Sequence, residues 1–315
     1  MSENPVVSVV TIGSNIIPYL STWFLHLEQQ DYPLGKVEWI IISTKDTPEE
    51  IKRVYNLIEG SPLKVKYYFF PNKTTRECWD IALREAVGDL ILTSICDVVP
   101  SPNWISAHVK TAEEYGGNAC IGGIVLPHPK IHPKSITRWF LPEDAPPTLA
   151  KSANGNILFS FSIANFSFPR ELALSAGGFN KNFVFEEFAE VELAKRLTLR
   201  GVKLVVTEDA TVWAWKGCSY LDSCKYHYRR GYSMRTYLNL YPEDYSIQWK
   251  YKVRWSLPKS VLYFITIPFS HRLCTKLPED SKNLHRMYVR LFRYWRAKGF
   301  LDATLKRPPQ DDKII

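Results

Sequence analysis

The chain has 315 residues, 45% of them hydrophobic and 14% aromatic, with a net charge of +8. That length suits one large or two modest domains and is ample to bury a core. No apolar run reaches the ~18–20 residues needed to span a bilayer. The start, Met1-Ser2-Glu3-Asn4-Pro5, has no basic region ahead of a hydrophobic one, so no signal peptide is expected. The six cysteines are scattered; Cys218 and Cys224 alone lie close, at a spacing unusual for zinc, so they read as reduced thiols. Charge is uneven: residues 1–217 carry 21 Lys+Arg against 24 Asp+Glu, and residues 218–315 carry 19 against 8, with 18 of the 43 aromatics. A nearly neutral body thus leads into a basic, aromatic-rich C-terminal third that suits an anionic partner. Phospholipid and nucleic acid both fit that charge alone, but no nucleic-acid recognition motif accompanies it.

Val6–Thr11 is a short β-branched run ended by Gly13-Ser14-Asn15, a buried strand and a loop. Residues 17–30 read as a helix, with Leu20, Trp23, Phe24 and Leu27 on one face. Val37–Ser43 is a second buried strand. Pro48-Glu49-Glu50 opens a helix with Thr47 as its N-cap. Val65–Phe70 is a third strand. Thr74 or Thr75 starts a helix over 76–87, with Gly88 as the expected C-cap. Leu90–Ile95 is a fourth strand, ending at Cys96-Asp97. Residues 130–156, rich in Pro, Lys and Asn, read as a loop or flap, and strands recur near 157–168 and 202–213. Strands alternating with helices imply βαβ units and a mostly parallel sheet, with ligands gathered at the strands' carboxyl ends. After about 217 the chain turns helical. Leu257–Phe269 is a short apolar stretch broken by Pro258 and Pro268. Residues 283–298 are amphipathic, with Leu284, Met287, Tyr288, Leu291, Phe292 and Trp295 along one face.

Several segments, in order, carry a resemblance. Val7–Thr11 and Glu38–Ser43 look like an opening strand pair. Ala86-Val87-Gly88-Asp89-Leu90-Ile91-Leu92 is similar to an A-x-G-D-x-I approach, and Asp97-Val98-Val99-Pro100-Ser101-Pro102-Asn103-Trp104-Ile105 to D-x-x-P-x-P-x-W-[IL]. Ala164-Asn165, Phe168-Pro169-Arg170 and Gly177-Gly178-Phe179 look like an acceptor-side strand and turn, Glu190–Leu197 like the helix carrying a catalytic base, and Asp209-Ala210 like a closing strand. Together these resemble family 2 glycosyltransferases over residues 6–217. The resemblance implies an α/β GT-A fold: a Rossmann-like, mostly parallel sheet flanked by helices over 1–217, followed by a helical, basic, aromatic-rich extension over 218–315.

It also implies inverting transfer of a sugar from a nucleotide-diphosphate sugar to an acceptor hydroxyl. That chemistry needs charge neutralisation at the leaving diphosphate, a base for the acceptor proton and a nucleotide held for in-line attack. By the resemblance, Glu190 is the catalytic base, Thr11, Gly13, Ser43, Asp46, Arg76 and Asp97 bind the nucleotide sugar, and Asn165 and Glu187 lie on the acceptor side. Asp97 is also the metal ligand, for Mg²⁺ or Mn²⁺ or with no metal dependence. The chain departs from the family at four places. The D-x-D triplet is Ile95-Cys96-Asp97, the E-D pair is Ala189-Glu190, the strand-end Asp is Ser43, and Trp213-Ala214-Trp215-Lys216 stands where a histidine often follows the closing strand.

Two readings therefore stand. One is a transferase at the cytoplasmic, inner face of a membrane, bound peripherally, with the acceptor lipid-linked. The other is a catalytically degenerate binding or scaffold subunit. Tyr226–Arg235 resembles the Y-R-x-G helix of membrane-surface members, so 218–315 would meet an anionic membrane surface or a protein partner.

Overall fold

A computed structural model of the chain describes residues 4–13, 16–130, 162–214, 219–244, 267, 274 and 282–314. The expectations for the loop over 131–156, the strand start near 157, Trp215-Lys216 and, apart from residue 267, Leu257–Phe269 fall outside the described residues. The chain divides into two compact units. The first takes Met1–His128, Glu143–Asn180 and Glu190–Lys216; the second takes Pro129–Pro142, Lys181–Ala189 and Gly217–Ile315.

The first unit is built on an eight-stranded sheet in the order β3-β2-β1-β4-β7-β6-β8-β5. Its strands are β1 (Val7–Gly13), β2 (Val37–Ser43), β3 (Lys64–Phe69), β4 (Leu90–Ser94), β5 (Val98–Pro100), β6 (Ala119–Pro127), β7 (Phe166–Pro169) and β8 (Lys203–Ala214). β3, β2, β1 and β4 run parallel, as the βαβ pattern requires. β7 then pairs antiparallel with both β4 and β6, β6 runs parallel to β8, and β5 lies antiparallel at the edge.

The helices are α1 (Ile17–Glu28), α2 (Pro48–Glu59), α3 (Thr75–Glu85), α4 (Trp104–Glu114), α5 (Arg170–Ser175) and α6 (Ala189–Thr198), the last beginning in the second unit. Thr47 caps α2 and Thr74 caps α3, each in a reciprocal capping box with a glutamate three residues on. α1 lays Leu20, Trp23, Phe24 and Leu27 on the sheet. There Trp23 meets Trp39 and Trp104, each with ring centroids 5.9 Å apart.

Gly88 is not the C-cap of α3. That helix ends at Ala86 in extended backbone. A Cβ on Gly88 would sit 2.5 Å from the Ser8 amide nitrogen, so glycine is needed for close approach to β1. Beside it, buried Glu38 accepts from Ser8 Oγ at 2.5 Å and from the Val87 amide at 2.6 Å, and meets Lys66 Nζ at 3.1 Å. Burial opposes its charge, but these partners outweigh burial and hold the carboxyl below its ordinary range. This cluster ties the amino ends of the central strands together.

The second unit contains α7 (Tyr220–Leu240) and α8 (Lys282–Thr304). Ser219 caps α7 in a third capping box, with Asp222. The predicted apolar face of α8 is inward: Leu284, Leu291 and Phe292 are buried and Trp295 half-buried, while Arg290 and Arg293 are exposed. Asp302 on α8 has no exposed surface and accepts from Tyr228 Oη of α7 at 3.0 Å.

Candidate active site

The register of the parallel strands sets the site. Gly13 pairs with Ser43, Ser43 with Phe69, and Thr11 with Ser94, so four strands end side by side. The amide of Thr44 donates to Gly13 O at 3.2 Å and that of Phe70 to Ser43 O at 2.9 Å, which carries the alignment past the last paired residues.

Within that rim the predicted residues divide. Ser43 is fully buried, and among the described residues its Oγ has no hydrogen-bond partner. Asp46 is 7% exposed. Its Oδ2 accepts from Tyr67 Oη at 2.7 Å, and its Oδ1 is buried with no partner among the described residues. Burial, then the bond to Asp46, push the Tyr67 phenol well above its ordinary pKa, so it remains a donor. Thr11 is differently occupied, because its Oγ1 accepts from the buried indole of Trp39 at 3.0 Å. Gly13 lies against the β4–β5 turn: a Cβ there would come 3.6 Å from Cys96 Sγ. Arg76 is half-buried in the first turn of α3, where a cation opposes the helix dipole.

Asp97 is half-buried in the β4–β5 turn. Trp23 Nε1 donates to Cys96 O at 2.9 Å and fixes that turn from α1. Val98 pairs with Ala214 and Pro127 pairs with the same Ala214, so the start of β5 and the ends of β6 and β8 share one row. Ile95 is half-buried against the core where a first carboxylate would stand. Among the described residues no three His, Cys, Asp or Glu side chains gather to hold a metal ion. Among the described residues at this turn, Asp97 offers one carboxylate to a metal.

Glu190 is the second residue of α6 and is 5% exposed. Two residues on, Glu192 is fully buried and takes a bidentate pair from Arg196, Nε to Oε1 and Nη2 to Oε2, both at 2.8 Å. The same guanidinium donates to Ala176 O and Gly178 O at 2.6 Å. Gly177 and Gly178 have φ of +88° and +68°, which suits glycine, so the paired-glycine turn is stapled to α6 by one arginine.

Asn165 lies in the core. Its Oδ1 accepts from Trp104 Nε1 at 2.9 Å and lies 2.8 Å from His108 Nε2; its Nδ2 donates to Ile124 O at 2.8 Å and Ala210 O at 3.0 Å. Those four bonds use the amide's capacity and fill the irregularity in β6 at Gly123, where a Cβ would meet Asn165 Nδ2 at 2.4 Å. Glu187 belongs to the second unit, where its Oε1 lies 3.8 Å from Arg229. Burial opposes the Arg229 charge, but Glu187 and Asp311 outweigh it and raise the guanidinium above its ordinary range. The pairing of Tyr67 with Asp46 was not visible in the sequence, because the two lie 21 positions apart and nothing local marks the pair.

A family model described as glycosyl transferase family 2 matches residues 8–173, more than half of the chain. The chain belongs to glycosyl transferase family 2. No curated protein matches this family 2 chain significantly. Among solved structures it is similar to the mannosyltransferase PcManGT from Pyrobaculum calidifontis, in complex with GDP-Man and Mn²⁺. The two share 14% identity and a TM-score of 0.67 over 98% of this chain and 89% of that one. It is also similar to S. aureus TarS 1-349 in complex with UDP, at 12% identity and a TM-score of 0.54, over 97% and 93% of the two chains. At these identities the likeness establishes the GT-A fold, an eight-stranded α/β sheet with a helical C-terminal region. The matched residues stop before α6, so the family match does not reach Glu190.

Proposed function

We propose that this family 2 chain is an inverting glycosyltransferase that moves a sugar from a nucleotide-diphosphate donor to an acceptor hydroxyl. The observation that carries the reading is a pair of buried oxygens at the carboxyl end of β2, Ser43 Oγ and Asp46 Oδ1, that find no hydrogen-bond partner among the described residues. A buried acceptor left empty is costly, and a nucleoside's N–H or O–H groups would fill these two. Asp97 would face the diphosphate and hold Mg²⁺ or Mn²⁺ jointly with its oxygens, since Mg²⁺ keeps several waters and needs few protein ligands. Arg76 would add a cation at the rim. Glu190 would accept the acceptor's proton from the start of α6.

Among the described residues no helix is long and apolar enough to cross a membrane. The second unit exposes Leu301 and Leu305 beside exposed Lys306 and Arg307. That mixture suits peripheral contact with an anionic membrane surface, where a lipid-linked acceptor would be presented at the cytoplasmic face.

A second reading, a non-catalytic binding subunit on the same fold, is favoured by Ile95 and Ala189, which replace the two family carboxylates. Calorimetric titration with UDP and GDP, with and without Mn²⁺, on the wild type and Asp97→Ala decides between them. Micromolar binding that Asp97→Ala weakens supports the transferase. No binding of either nucleotide under any metal condition sinks it.

A further inference from the structure

The turn just ahead of α6 is built against ordinary backbone preference. The amide of Ala189 donates to Glu186 O at 2.9 Å, closing a four-residue turn over 186–189. Its third position is Phe188, at φ +86°. Turns with positive φ at that position take glycine, because a side chain there is strained. A bulky aromatic keeps such a conformation only where its surroundings over-determine it.

Those surroundings come from α7, in the same compact unit as the turn. The Phe188 ring has no exposed surface. The Arg230 guanidinium lies 5.0 Å from its centroid, and Tyr237 packs edge-on at 5.4 Å. Arg230 is 9% exposed and is oriented by a bond from Nη1 to Tyr226 Oη at 3.1 Å. The preceding arginine grips the rest of the turn. Arg229 lies 3.8 Å from Glu187 Oε1 and 5.5 Å from the Phe185 centroid, and is braced by Asp311 at 2.7 Å. Phe185 in turn packs edge-on against Tyr232 at 5.6 Å.

We infer that Arg229 and Arg230 of α7 are positioning residues that clamp the 185–188 turn and so set the backbone from which α6 and Glu190 begin. The inference rests on the reading of Glu190 as the base. Glu190 follows the strained residue by two positions, so any relaxation of the turn enters the first turn of α6 directly. Catalytic groups tolerate little displacement, and roughly 1 Å can cost about 100-fold in rate.

The test uses the full chain with Arg230→Met, Arg230→Lys, Phe188→Leu and Glu190→Gln. Amide hydrogen exchange over 183–192 is read alongside UDP and GDP affinity and the kcat and KM for nucleotide release from GDP-mannose and UDP-glucose. Arg230→Met and Phe188→Leu should speed exchange over 183–192 at least 10-fold and lower kcat at least 10-fold. Nucleotide Kd should stay within about twofold, and Arg230→Lys should recover part of both effects. Unchanged exchange in Arg230→Met and Phe188→Leu overturns the clamp. A fall in kcat matched by an equal loss of nucleotide affinity also overturns it, since that marks general loosening. Wild-type turnover by Glu190→Gln overturns the base assignment instead, and exchange then decides the clamp alone.

Discussion

Tyr67 donates its hydroxyl hydrogen to Asp46 Oδ2 across 2.7 Å, and Asp46 Oδ1 is buried with no donor among the described residues. The phenol therefore orients a half-satisfied carboxylate at the strand rim. Tyr67→Phe keeps the ring and its edge contact with Tyr55 at 5.7 Å but removes the bond. A single such bond contributes about 1–1.5 kcal/mol, so nucleotide affinity should fall roughly 5–15-fold. Asp46→Asn should lose more, because it replaces the charged acceptor itself. Titration with UDP and GDP reads both; unchanged Kd in the pair removes Asp46 from the nucleotide site.

The buried histidine of α4 gives the first unit a signed acid response. His108 sits between Ser167 Oγ and Asn165 Oδ1, each 2.8 Å from a ring nitrogen. Burial lowers its pKa from 6.5 to about 4. The unfolded chain binds a proton below about pH 6.5 that the folded one refuses until about pH 4, so stability falls as pH drops through that window. Between pH 7 and pH 5 the loss from this residue is on the order of 2 kcal/mol. Denaturant unfolding of the wild type and His108→Gln at both pH values should show that much less pH dependence in the variant. His227, also depressed by burial, acts with the same sign in both proteins and cancels in the comparison.

The first four strands could be read directly because each is a short run dominated by β-branched, aromatic or leucine side chains, and Thr47 and Thr74 mark two of the helices between them. β6 could not, since Gly122 and Gly123 interrupt Ala119–Pro127; its reason for carrying Gly123 is the Asn165 side chain 42 residues on. β5 is three residues long and forms only because β8 lies beside it. The site shows the same division. Ser43 and Asp46 follow from where a strand ends. Tyr67 beside Asp46, Trp39 on Thr11 and the arginines on the 185–188 turn are long-range pairings that no local pattern encodes. Asn165 matched a family segment in order, but the sequence could not tell that its amide bonds inward.

The missing first carboxylate can be put back. Ile95→Asp places two aspartates around Cys96 at the β4–β5 turn. Ile95 is half-buried against the core, so the change should cost about 1–2 kcal/mol of stability from lost apolar burial. In exchange, Mn²⁺ should strengthen UDP or GDP binding at least 10-fold more in the variant than in the wild type, because a second charged ligand joins Asp97. Titration in Mn²⁺ against EDTA measures this. A variant whose response to metal equals that of the wild type would show that the turn does not present Asp97 to a bound nucleotide.

α7 and α8 cross at a pair of glycines, and both are needed. A Cβ on Gly231 would lie 1.9 Å from Arg296 O, and one on Gly299 would lie 2.0 Å from Tyr228 O. Each helix thus rests its backbone on the other's glycine. Alanine would gain up to about 1 kcal/mol of helix propensity at either position. The overlap instead forces the helices apart, and overpacking of this kind costs about 1–3 kcal/mol or more. Separation would also strain the Tyr228 bond to buried Asp302, which pairs with Lys298 and Arg307. Gly231→Ala and Gly299→Ala should each lower the thermal midpoint by several degrees. Gly35→Ala, where a Cβ meets nothing within 4 Å, should leave it unchanged. Wild-type melting by Gly231→Ala would mean the crossing is looser than these distances require.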